Sequence, residues 1–386
     1  MPWVALTRRL EDDGAGLAIV ADQAIEYGGI ERALEAVLRR FPEADLVAPG
    51  FRPTPGSQGH FERRLERMRR ATNGDGPAWR GELRLAGAGG PRRHFLGPVY
   101  ARRIARHPLD DAAVVLSVGG AAWSLAAATP PGARHLAWIG GPPRALYSHT
   151  RAYLSEYPTA LRPVLRASIP ALRAHHRHLL RRPRRIFSNS RYSADRLEEL
   201  AQRDVRVLYP PVRTDYFTPA ERPRQRFAAV ARLRFSKRVN LLIDAFRGLD
   251  HELVVAGDGP LLESLRAQAP PNVELVGHLG DEELRELYRS SAGMLSASVE
   301  EFGICLVEAL AAGTPVLAPR EGGASEIVEH RRNGLLLDTV TPEAIAAGVR
   351  ELAGMEVDRA ACRASAERFS EERFVAEIEG VLGSVA

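Results

Sequence analysis

Lysine is almost absent from this chain of 386 residues, because Lys237 is the only lysine among 53 basic residues and all the others are arginine. On an open surface the two residue types are nearly equivalent, since either one supplies a solvated positive charge. They differ in narrow sites, where lysine acts as a compact point charge and arginine as a wide planar fork. Lys237 is therefore a candidate site residue, and retention of one lysine by drift is the alternative.

Cysteine and uninterrupted apolar segments are also scarce. The two cysteines, Cys305 and Cys362, lie in apolar stretches with helical periodicity, which favours buried thiols in a reducing compartment. Glycines and serines interrupt the longest apolar run, at 112–128, so we predict no transmembrane helix. The chain opens without the pattern of a signal peptide. These features together predict a globular, cytoplasmic protein.

The net charge of +5 is unevenly distributed along the chain. Residues 1–200 hold 31 arginines and 19 acidic residues, whereas residues 201–386 hold 22 basic and 29 acidic residues. This asymmetry suggests that the first half faces an anionic partner. The runs "FERRLERMRR" (61–70) and "RHLLRRPRR" (177–185) carry much of the charge. They are either ordinary solvated surface or a contact with anionic lipid or phosphate, and we expect no nucleic acid partner.

Apolar strand-like runs alternate with helical patterns throughout the chain, and its length suggests two domains. The ten runs that we predict as strands are "GLAIVA" (16–21), "DLVAPG" (45–50), "AAVVLSV" (112–118), "HLAWIG" (135–140), "RIFSNS" (185–190), "RFAAVARL" (226–233), "ELVVAGDG" (252–259), "VELVGHL" (273–279), "AGMLSAS" (292–298) and "PVLAPR" (315–320). This alternation is typical of α/β proteins with doubly wound parallel sheets. A segment rich in proline and arginine, 206–222, is predicted to link an N-terminal domain (1–205) to a C-terminal domain (223–368). Ligands of such sheets bind at the carboxyl ends of strands, so we expect the chemistry in loops at the cleft between the domains.

The stretch "SVEEFGICLVEALAAGTPV" (298–316) places two glutamates around the start of a predicted helix. Glu300 lies in the loop before the helix, and Glu308 lies eight residues later, within it. Gly303 would allow close backbone approach at the helix N-terminus, where free amides favour phosphate. Carboxylates accept paired hydrogen bonds from sugar hydroxyls. As an isolated pair, however, two glutamates at this spacing are more typical of surface residues.

The residues from Arg232 to Lys237 resemble the phosphate clamp of the retaining GT-B glycosyltransferases of family four. The segment from Glu300 to Glu308 resembles that family's two-glutamate motif. Four further stretches resemble family segments in the expected order: "EYGGIERAL" (26–34), "FSNSRYSADRL" (187–197), "VLYPPVRTDYFTP" (207–219) and "FSEERFVAEIEGVL" (369–382). The resemblance implies a GT-B fold of two Rossmann-like domains separated by a cleft, with a last helix (369–386) that crosses back to the N-terminal domain.

The resemblance also implies roles for individual residues of the C-terminal domain. Arg232 and Lys237 would clamp the diphosphate of a nucleotide sugar, Glu300 would contact the donor sugar, and Glu308 would hold the ribose hydroxyls. Backbone groups near the donor would come from the start of the helix, at Phe302, Gly303 and Ile304.

In the N-terminal domain, the resemblance implies that Gly28 and Gly29 approach the phosphates.

The resemblance implies a metal-independent reaction as well. No Asp-x-Asp pair occurs in the chain, so the usual carboxylate handle for a divalent metal is missing, and we expect neither a metal nor another cofactor. Two fixed cations can offset the charge of a leaving diphosphate. No carboxylate stands out as a nucleophile of the glycosidase type.

The sequence departs from the family pattern in "WIGGPPRALY" (138–147). Gly140 and Gly141 stand where many relatives have histidine and threonine. The contact that the histidine makes elsewhere is therefore in doubt, and His135 is a speculative substitute for it.

Two other patterns suggest ligands that we do not expect. The cluster of His175, His176 and His178 could suggest metal, but in an arginine-rich helix we expect a solvated or interfacial face. "GDGPLLESL" (257–265) imitates a dinucleotide fingerprint, but Leu262 stands at the third glycine position.

The sequence thus predicts a retaining hexosyltransferase that uses a nucleotide sugar. "LYPPV" (208–212) and "GGPPRALY" (140–147) resemble the lipopolysaccharide and lipid-linked-oligosaccharide mannosyltransferase branch, so we expect mannose transfer from GDP-mannose to a glycan, lipid-linked or small-molecule acceptor. A UDP- or dTDP-sugar-dependent enzyme of natural-product synthesis is the main alternative. An epimerase and a silent nucleotide-sugar binder are the others. The basic first half predicts peripheral attachment to anionic membrane, at the inner face of the plasma membrane.

Overall fold

The computed structural model divides the chain into two compact units. Unit 1 comprises Met1–Pro210 together with Phe374–Ala386, and unit 2 comprises Pro211–Arg373. The predicted linker 206–222 thus begins inside a strand of unit 1 and continues as part of unit 2. The structure describes residues 16–22, 28–41, 44–49, 79–83, 97–106, 108–110, 112–120, 122–221 and 226–383.

Unit 1 contains a parallel sheet of seven strands in the order β3-β2-β1-β4-β5-β6-β7. The strands are β1 (Gly16–Ala21), β2 (Asp45–Pro49), β3 (Trp79–Leu83), β4 (Ala112–Gly119), β5 (Arg134–Ile139), β6 (Arg185–Ser188) and β7 (Val205–Val207). The helices are α1 (Gly29–Arg40), α2 (Gly97–Ile104), α3 (Thr150–Ser155), α4 (Arg162–Leu180), α5 (Arg191–Ala201) and, from the end of the chain, α13 (Glu371–Gly383).

The sequences of these elements explain how the sheet is covered. β4 reads "AAVVLSVG" and is buried along most of its length, as expected for a parallel strand with helices on both faces. In α13, Phe374, Ile378 and Leu382 recur every four residues and therefore share one face, which is buried in the core of unit 1. The rings of Phe374 and Trp138 pack edge to face at 6.2 Å. The terminal helix thus completes the core of unit 1.

Unit 2 contains a parallel sheet of six strands in the order β10-β9-β8-β11-β12-β13. The strands are β8 (Arg226–Val230), β9 (Glu252–Ala256), β10 (Val273–Gly277), β11 (Ser291–Leu295), β12 (Val316–Pro319) and β13 (Gly334–Leu337). The helices are α6 (Val239–Phe246), α7 (Leu262–Arg266), α8 (Asp281–Ser290), α9 (Ile304–Ala311), α10 (Ala324–Ile327), α11 (Pro342–Gly354) and α12 (Arg359–Ala366).

Helix α11 shows how local sequence sets an element of unit 2. The hydroxyl of Thr341 accepts a hydrogen bond from the backbone N–H of Ala344, and Pro342 follows at the first helical position, so both residues favour a helix start here. Ile345, Val349 and Leu352 form its buried face. α11 thus begins at a capped residue and packs its apolar face against the sheet.

Both sheets reverse their strand order once, at β1 and β4 in unit 1 and at β8 and β11 in unit 2. Ligands of doubly wound sheets bind beyond the carboxyl ends of the strands at such a reversal. The predicted fold class of two Rossmann-like α/β sheets is confirmed. Among the described helices, none has the length and apolar composition needed to cross a bilayer.

Candidate donor site in unit 2

Two loops leave the sheet of unit 2 where its strand order reverses. The first follows β8 at Val230, and the second follows β11 at Leu295. β8 and β11 are neighbouring parallel strands, so both loops leave the sheet at the same edge. The predicted residues from Arg232 to Lys237 lie on the first loop, and Glu300 lies on the second.

An ion pair between Lys237 and Glu300 joins these two loops. The lysine Nζ lies 2.5 Å from the glutamate Oε1, and the two side chains are only 19% and 16% exposed. Lys237 is the last residue of a single 3₁₀ turn, Phe235–Lys237. Because water is largely excluded from both side chains, their charges act more strongly than those of a surface pair. The structure thus brings together two of the residues that the sequence singled out.

Backbone contacts hold the loop of Arg232 in place. The N–H of Leu233 donates to the carbonyl of Asp258 at 2.8 Å, and the N–H of Leu261 donates to the carbonyl of Leu233 at 3.2 Å. The segment 257–261, which imitates a dinucleotide fingerprint in the sequence, therefore supports this loop. Arg232 itself is exposed.

The loop of Glu300 is held from two sides by residues that the sequence analysis did not identify. The hydroxyl of Ser298 donates to the carbonyl of Ser236 at 3.1 Å and so ties this loop to the first one. The N–H of Gly323 donates to the carbonyl of Glu300 at 2.9 Å. A Cβ atom at position 323 would lie 2.5 Å from the Cα of Phe302, so only glycine allows this approach. The pair of glycines that follows β12 was the feature of the sequence that could have predicted this close contact.

The start of α9 lies next to the ion pair. Gly303 has φ of 111°, in the left-handed region that favours glycine, and Ile304 is the first residue of the helix. The side chain of Phe302 is buried and packs edge to face against Phe369 at 5.2 Å. Phe302 can therefore offer a ligand only its backbone. Burial and the charge of Glu300 raise the pKa of the Cys305 thiol to about 12, so Cys305 stays protonated and is a poor nucleophile.

Glu308 lies inside α9 and is only 2% exposed. The phenolic hydroxyl of Tyr288, on α8, donates to its Oε2 at 3.0 Å. Burial of a carboxylate raises the free energy of the folded state unless the group is hydrogen-bonded, and the hydrogen bond from Tyr288 offsets part of this desolvation penalty. Sequence reasoning missed Tyr288, which lies 20 residues before its partner and has no motif around it.

A buried carboxylate, Asp22, lies at the strand reversal of unit 1 and is 1% exposed. Its two oxygens accept hydrogen bonds from the backbone N–H groups of Ala122, at 2.6 Å, and Ser124, at 2.5 Å. Gly28 and Gly29 stand at the start of α1, where Gly28 precedes the helix with extended backbone. Their predicted role toward phosphates stays a prediction. Residues 26 and 27 of the predicted glycine loop, like the arginine run 61–70, lie outside the described residues.

His135 does not have the environment of a substitute for the family histidine. It is 4% exposed, and its Nε2 lies 2.7 Å from the hydroxyl of Ser117. Burial and the nearby Arg182 charge lower its pKa to about 4. His135 is therefore a neutral core residue, and the speculation that it replaces the histidine at Gly140 is wrong.

The expectation of a solvated histidine face on α4 is also wrong for one member. His176 is 4% exposed, whereas His178 is exposed. The reason is helical spacing: His176 lies seven residues after the buried Ile169 and four before the buried Leu180, on the same face. No group of three or more potential metal ligands occurs among the residues that the structure describes.

Comparisons with known proteins identify the part of the chain that carries this geometry. Residues 217–369 match the family described as glycosyl transferases group 1. The match covers most of unit 2. The matched region includes the Lys237–Glu300 pair and Glu308, so the described geometry lies within it.

Relatives of known name resemble a part of the chain. A GDP-mannose-dependent alpha-mannosyltransferase of Corynebacterium glutamicum is 37% identical over 112 residues, which are 29% of this chain and 27% of the relative. The D-rhamnosyltransferase WbpZ of Pseudomonas aeruginosa is 34% identical over 134 residues, which are 33% of this chain and 35% of the relative. The chain thus spans about a third of the length of these relatives.

A solved structure is similar to nearly the whole chain. The crystal structure of Anabaena Alr3699/HepE in complex with UDP-glucose aligns with 95% of this chain and 99% of its own, with a TM-score of 0.69 and 18% identity. At this identity the similarity concerns the fold. It agrees with the α/β fold described for the two units.

Proposed function

We propose that the protein is a retaining, metal-independent hexosyltransferase that takes its sugar from a nucleotide donor. The observation that supports this most is the ion pair between Lys237 and Glu300, which joins the two loops at the strand reversal of unit 2. It sets a cation and a carboxylate where doubly wound sheets bind nucleotides. The family match over residues 217–369 supports the same assignment.

In this proposal Arg232 and Lys237 bind the diphosphate of the donor. Lys237 supplies a single compact charge, which Glu300 holds in place at 2.5 Å before the donor arrives. The exposed Arg232, on the same loop, supplies a planar fork for a second phosphate oxygen. As the bond to the sugar breaks, negative charge grows on the diphosphate, and cations already in position stabilise it without reorganisation.

The two glutamates take different parts of the donor. Glu308 accepts hydrogen bonds from the ribose hydroxyls, with its orientation set by Tyr288. Glu300 contacts the donor sugar, next to the backbone of Phe302, Gly303 and Ile304 at the start of α9. Backbone N–H groups at a helix start suit a phosphate or a hydroxyl oxygen.

Retention requires no carboxylate nucleophile here. Glu300, the carboxylate nearest the proposed sugar position, forms an ion pair with Lys237, which stabilises its charge but reduces its nucleophilicity. We propose front-face attack, in which the acceptor hydroxyl gives its proton to a phosphate oxygen of the departing diphosphate. The new glycosidic bond then forms on the face that the diphosphate leaves. The fixed charges of Arg232 and Lys237 take the place of a divalent metal in this scheme.

GDP-mannose is the proposed donor. The mannosyltransferase of Corynebacterium glutamicum, named as GDP-mannose-dependent, supports this choice through its 37% identity to part of the chain. A UDP- or dTDP-hexose is the alternative, because the solved relative from Anabaena was crystallised with UDP-glucose. The proposed acceptor is a glycan or a lipid-linked sugar.

Helix α4 in unit 1 supports an acceptor presented at an anionic membrane. It contains no acidic residue over its 19 positions. Arg166 and Val164 are exposed in its first two turns, Val164 at 68%, and Leu161, 51% exposed, comes directly before the helix. Basic and apolar side chains that are exposed together suit the interface of an anionic bilayer. Peripheral attachment to the inner face of the plasma membrane is therefore part of the proposal.

A thermal-shift panel of GDP, UDP, ADP and dTDP sugars tests the choice of donor. A ligand that binds only the folded state raises the melting temperature by mass action, so GDP-mannose should give the largest shift. Release of nucleoside diphosphate that depends on added acceptor should then separate a transferase from an epimerase or a silent binder. A larger shift with a UDP sugar would assign the donor to the alternative.

A further inference from the structure

Unit 1 contains a pocket that the donor site does not explain. It has an empty volume of about 440 Å³, including its open mouth. Its walls are formed by α2, by α4 and by the segments that follow β4 and β5. Most of the described wall is apolar, with Trp123, Leu146 and Leu172 lying beside His175 and His176.

The pocket lies close to the strand reversal of unit 1. Trp123 follows the end of β4, and Pro143 follows the end of β5, so both segments leave the carboxyl edge of the sheet. β4 is one of the two strands at which the order reverses. In doubly wound sheets this edge is where ligands bind. The position of the pocket is therefore that of a binding site rather than of a packing defect.

Two residues that line the pocket, His175 and His176, each have a buried Nε2 with no hydrogen-bond partner among the described residues. His176 is the more deeply buried of the two, at 4% exposed. Its other ring nitrogen, Nδ1, lies 3.0 Å from the hydroxyl of Tyr147. Buried polar atoms are rarely left unpaired, because each one costs about 1–3 kcal/mol. The unpaired nitrogen of His176 thus points to a ligand with a complementary atom.

The contact with Tyr147 indicates which atom that is. Burial lowers the pKa of His176 to about 4, so its ring is neutral and carries one proton. If the Tyr147 hydroxyl donates to Nδ1, the proton of the ring lies on Nε2. Nε2 then acts as a donor, and its partner must be an acceptor such as a hydroxyl, ether or carbonyl oxygen. Burial also raises the pKa of Tyr147, so its hydroxyl stays protonated and has a proton to donate to Nδ1.

We infer that this pocket binds a ring-sized apolar group that bears one hydrogen-bond-accepting oxygen and belongs to the acceptor substrate. The indole of Trp123 and the side chains of Leu146 and Leu172 surround the apolar part, and Nε2 of His176 holds the oxygen. Among the described residues, the walls contain no carboxylate, lysine or arginine that would favour a charged group. The connection to an acceptor rests on the proposed transferase function, whereas the binding itself does not.

Phenol and toluene test the binding part, because they differ only in the oxygen that His176 would hold. In protein labelled with ¹⁵N-histidine, phenol should shift the signals of His176 in a saturable way. Dissociation constants from ligand-detected NMR should be millimolar for so small a ligand, and about fivefold weaker for toluene, since one neutral hydrogen bond is lost.

Two variants and a matched control locate the site. Leu172→Trp fills the pocket and should abolish saturable binding of phenol. His176→Phe keeps a ring but removes the N–H, so phenol and toluene should bind equally. His178→Phe makes the same change at an exposed position of α4 and should bind phenol like the unaltered protein. If His176→Phe does not fold, Leu172→Trp alone decides. Unchanged phenol affinity in Leu172→Trp, or no saturable shift at His176, would overturn the inference.

A transfer assay tests the connection to the acceptor. With GDP-mannose as donor, phenyl α-mannoside should show a lower KM than methyl α-mannoside, and Leu172→Trp should remove the difference. Equal KM values in the unaltered protein would refute the acceptor connection while leaving the transferase proposal intact. Absence of turnover with every donor would refute the proposed function, and with it the acceptor connection. The phenol titration would still decide whether the pocket binds its predicted ligand.

Discussion

The hydroxyl of Tyr288 donates a hydrogen bond of 3.0 Å to the carboxylate of Glu308, and both side chains are almost completely buried. The Tyr288 backbone is fixed in turn, because the hydroxyl of Thr314 donates to its carbonyl at 2.6 Å. Glu308 is thus held in one orientation by a residue outside the two-glutamate motif. In the proposed function this orientation aims the carboxylate at the ribose.

Tyr288→Phe should therefore weaken binding of the nucleoside diphosphate about tenfold, with a smaller effect on kcat. The variant also leaves a buried carboxylate with one donor fewer, so the free energy of unfolding should fall by about 1–3 kcal/mol. Calorimetry and denaturant unfolding measure the two effects. Tyr216→Phe, which removes a hydroxyl elsewhere in unit 2, serves as the control. If Tyr288→Phe matched the unaltered protein in both measurements, Tyr288 would have no role in positioning Glu308.

Lys237→Arg should lower turnover on the order of 100-fold, although the charge is retained. The side chain of Lys237 is only 19% exposed and lies 2.5 Å from Glu300, so a wide planar fork cannot take the place of its single Nζ. Steady-state kinetics with the preferred donor measure the effect. Arg238→Lys makes the reverse exchange at the next, exposed position and should leave turnover unchanged. Full activity in Lys237→Arg would mean that drift explains the single lysine.

The sequence predicted most of the fold because the buried strands have continuous apolar runs. It missed three strands. β7 and β13 have only three and four residues, too few for a periodic signal. β3 reads "WRGEL", which contains charged residues and a glycine and therefore lacks the apolar run of a buried strand. Such strands form because a neighbouring strand offers hydrogen bonds, and that tertiary influence is invisible in a local pattern.

The candidate site was predictable where a residue type is unusual in itself and unpredictable where a partner is distant. Lys237 stood out by composition and Glu300 by resemblance, and the structure pairs them. Tyr288 and Asp22 carry no local signal, because their importance arises from contacts with residues 20 and about 100 positions away. His176 was misread because the arginines around it suggested a solvated helix, whereas its spacing from Ile169 marks the buried face.

Transfer activity should survive prolonged treatment with a strong chelator, because the charges of Arg232 and Lys237 are proposed to replace a divalent metal. Initial rates are compared before and after treatment with EDTA and removal of the chelator by dialysis. A metal-dependent transferase treated in parallel confirms that the chelator is effective. Loss of activity that magnesium or manganese restores would show that the reaction needs a metal.

The protein should co-sediment with vesicles that contain anionic lipid at low salt and dissociate at high salt. Each basic residue near such a surface contributes about 1 kcal/mol, and salt screens that attraction. Val164→Glu combined with Arg166→Glu should reduce binding at least tenfold. Arg350→Glu, at an exposed position of unit 2, controls for a change of charge alone. Failure of the unaltered protein to co-sediment at low salt would favour a soluble acceptor.

The measurement that tests the donor site most directly is calorimetry of the bare nucleoside diphosphate with Glu308→Ala and Glu300→Ala. Glu308→Ala should weaken binding about tenfold, because the ribose hydroxyls lose their acceptor. Glu300→Ala should change this affinity little, because in the proposed function Glu300 contacts the donor sugar, which the bare nucleotide lacks. It should instead lower turnover with the intact donor. An equal loss of affinity for the bare nucleotide in both variants would contradict this division between the two glutamates.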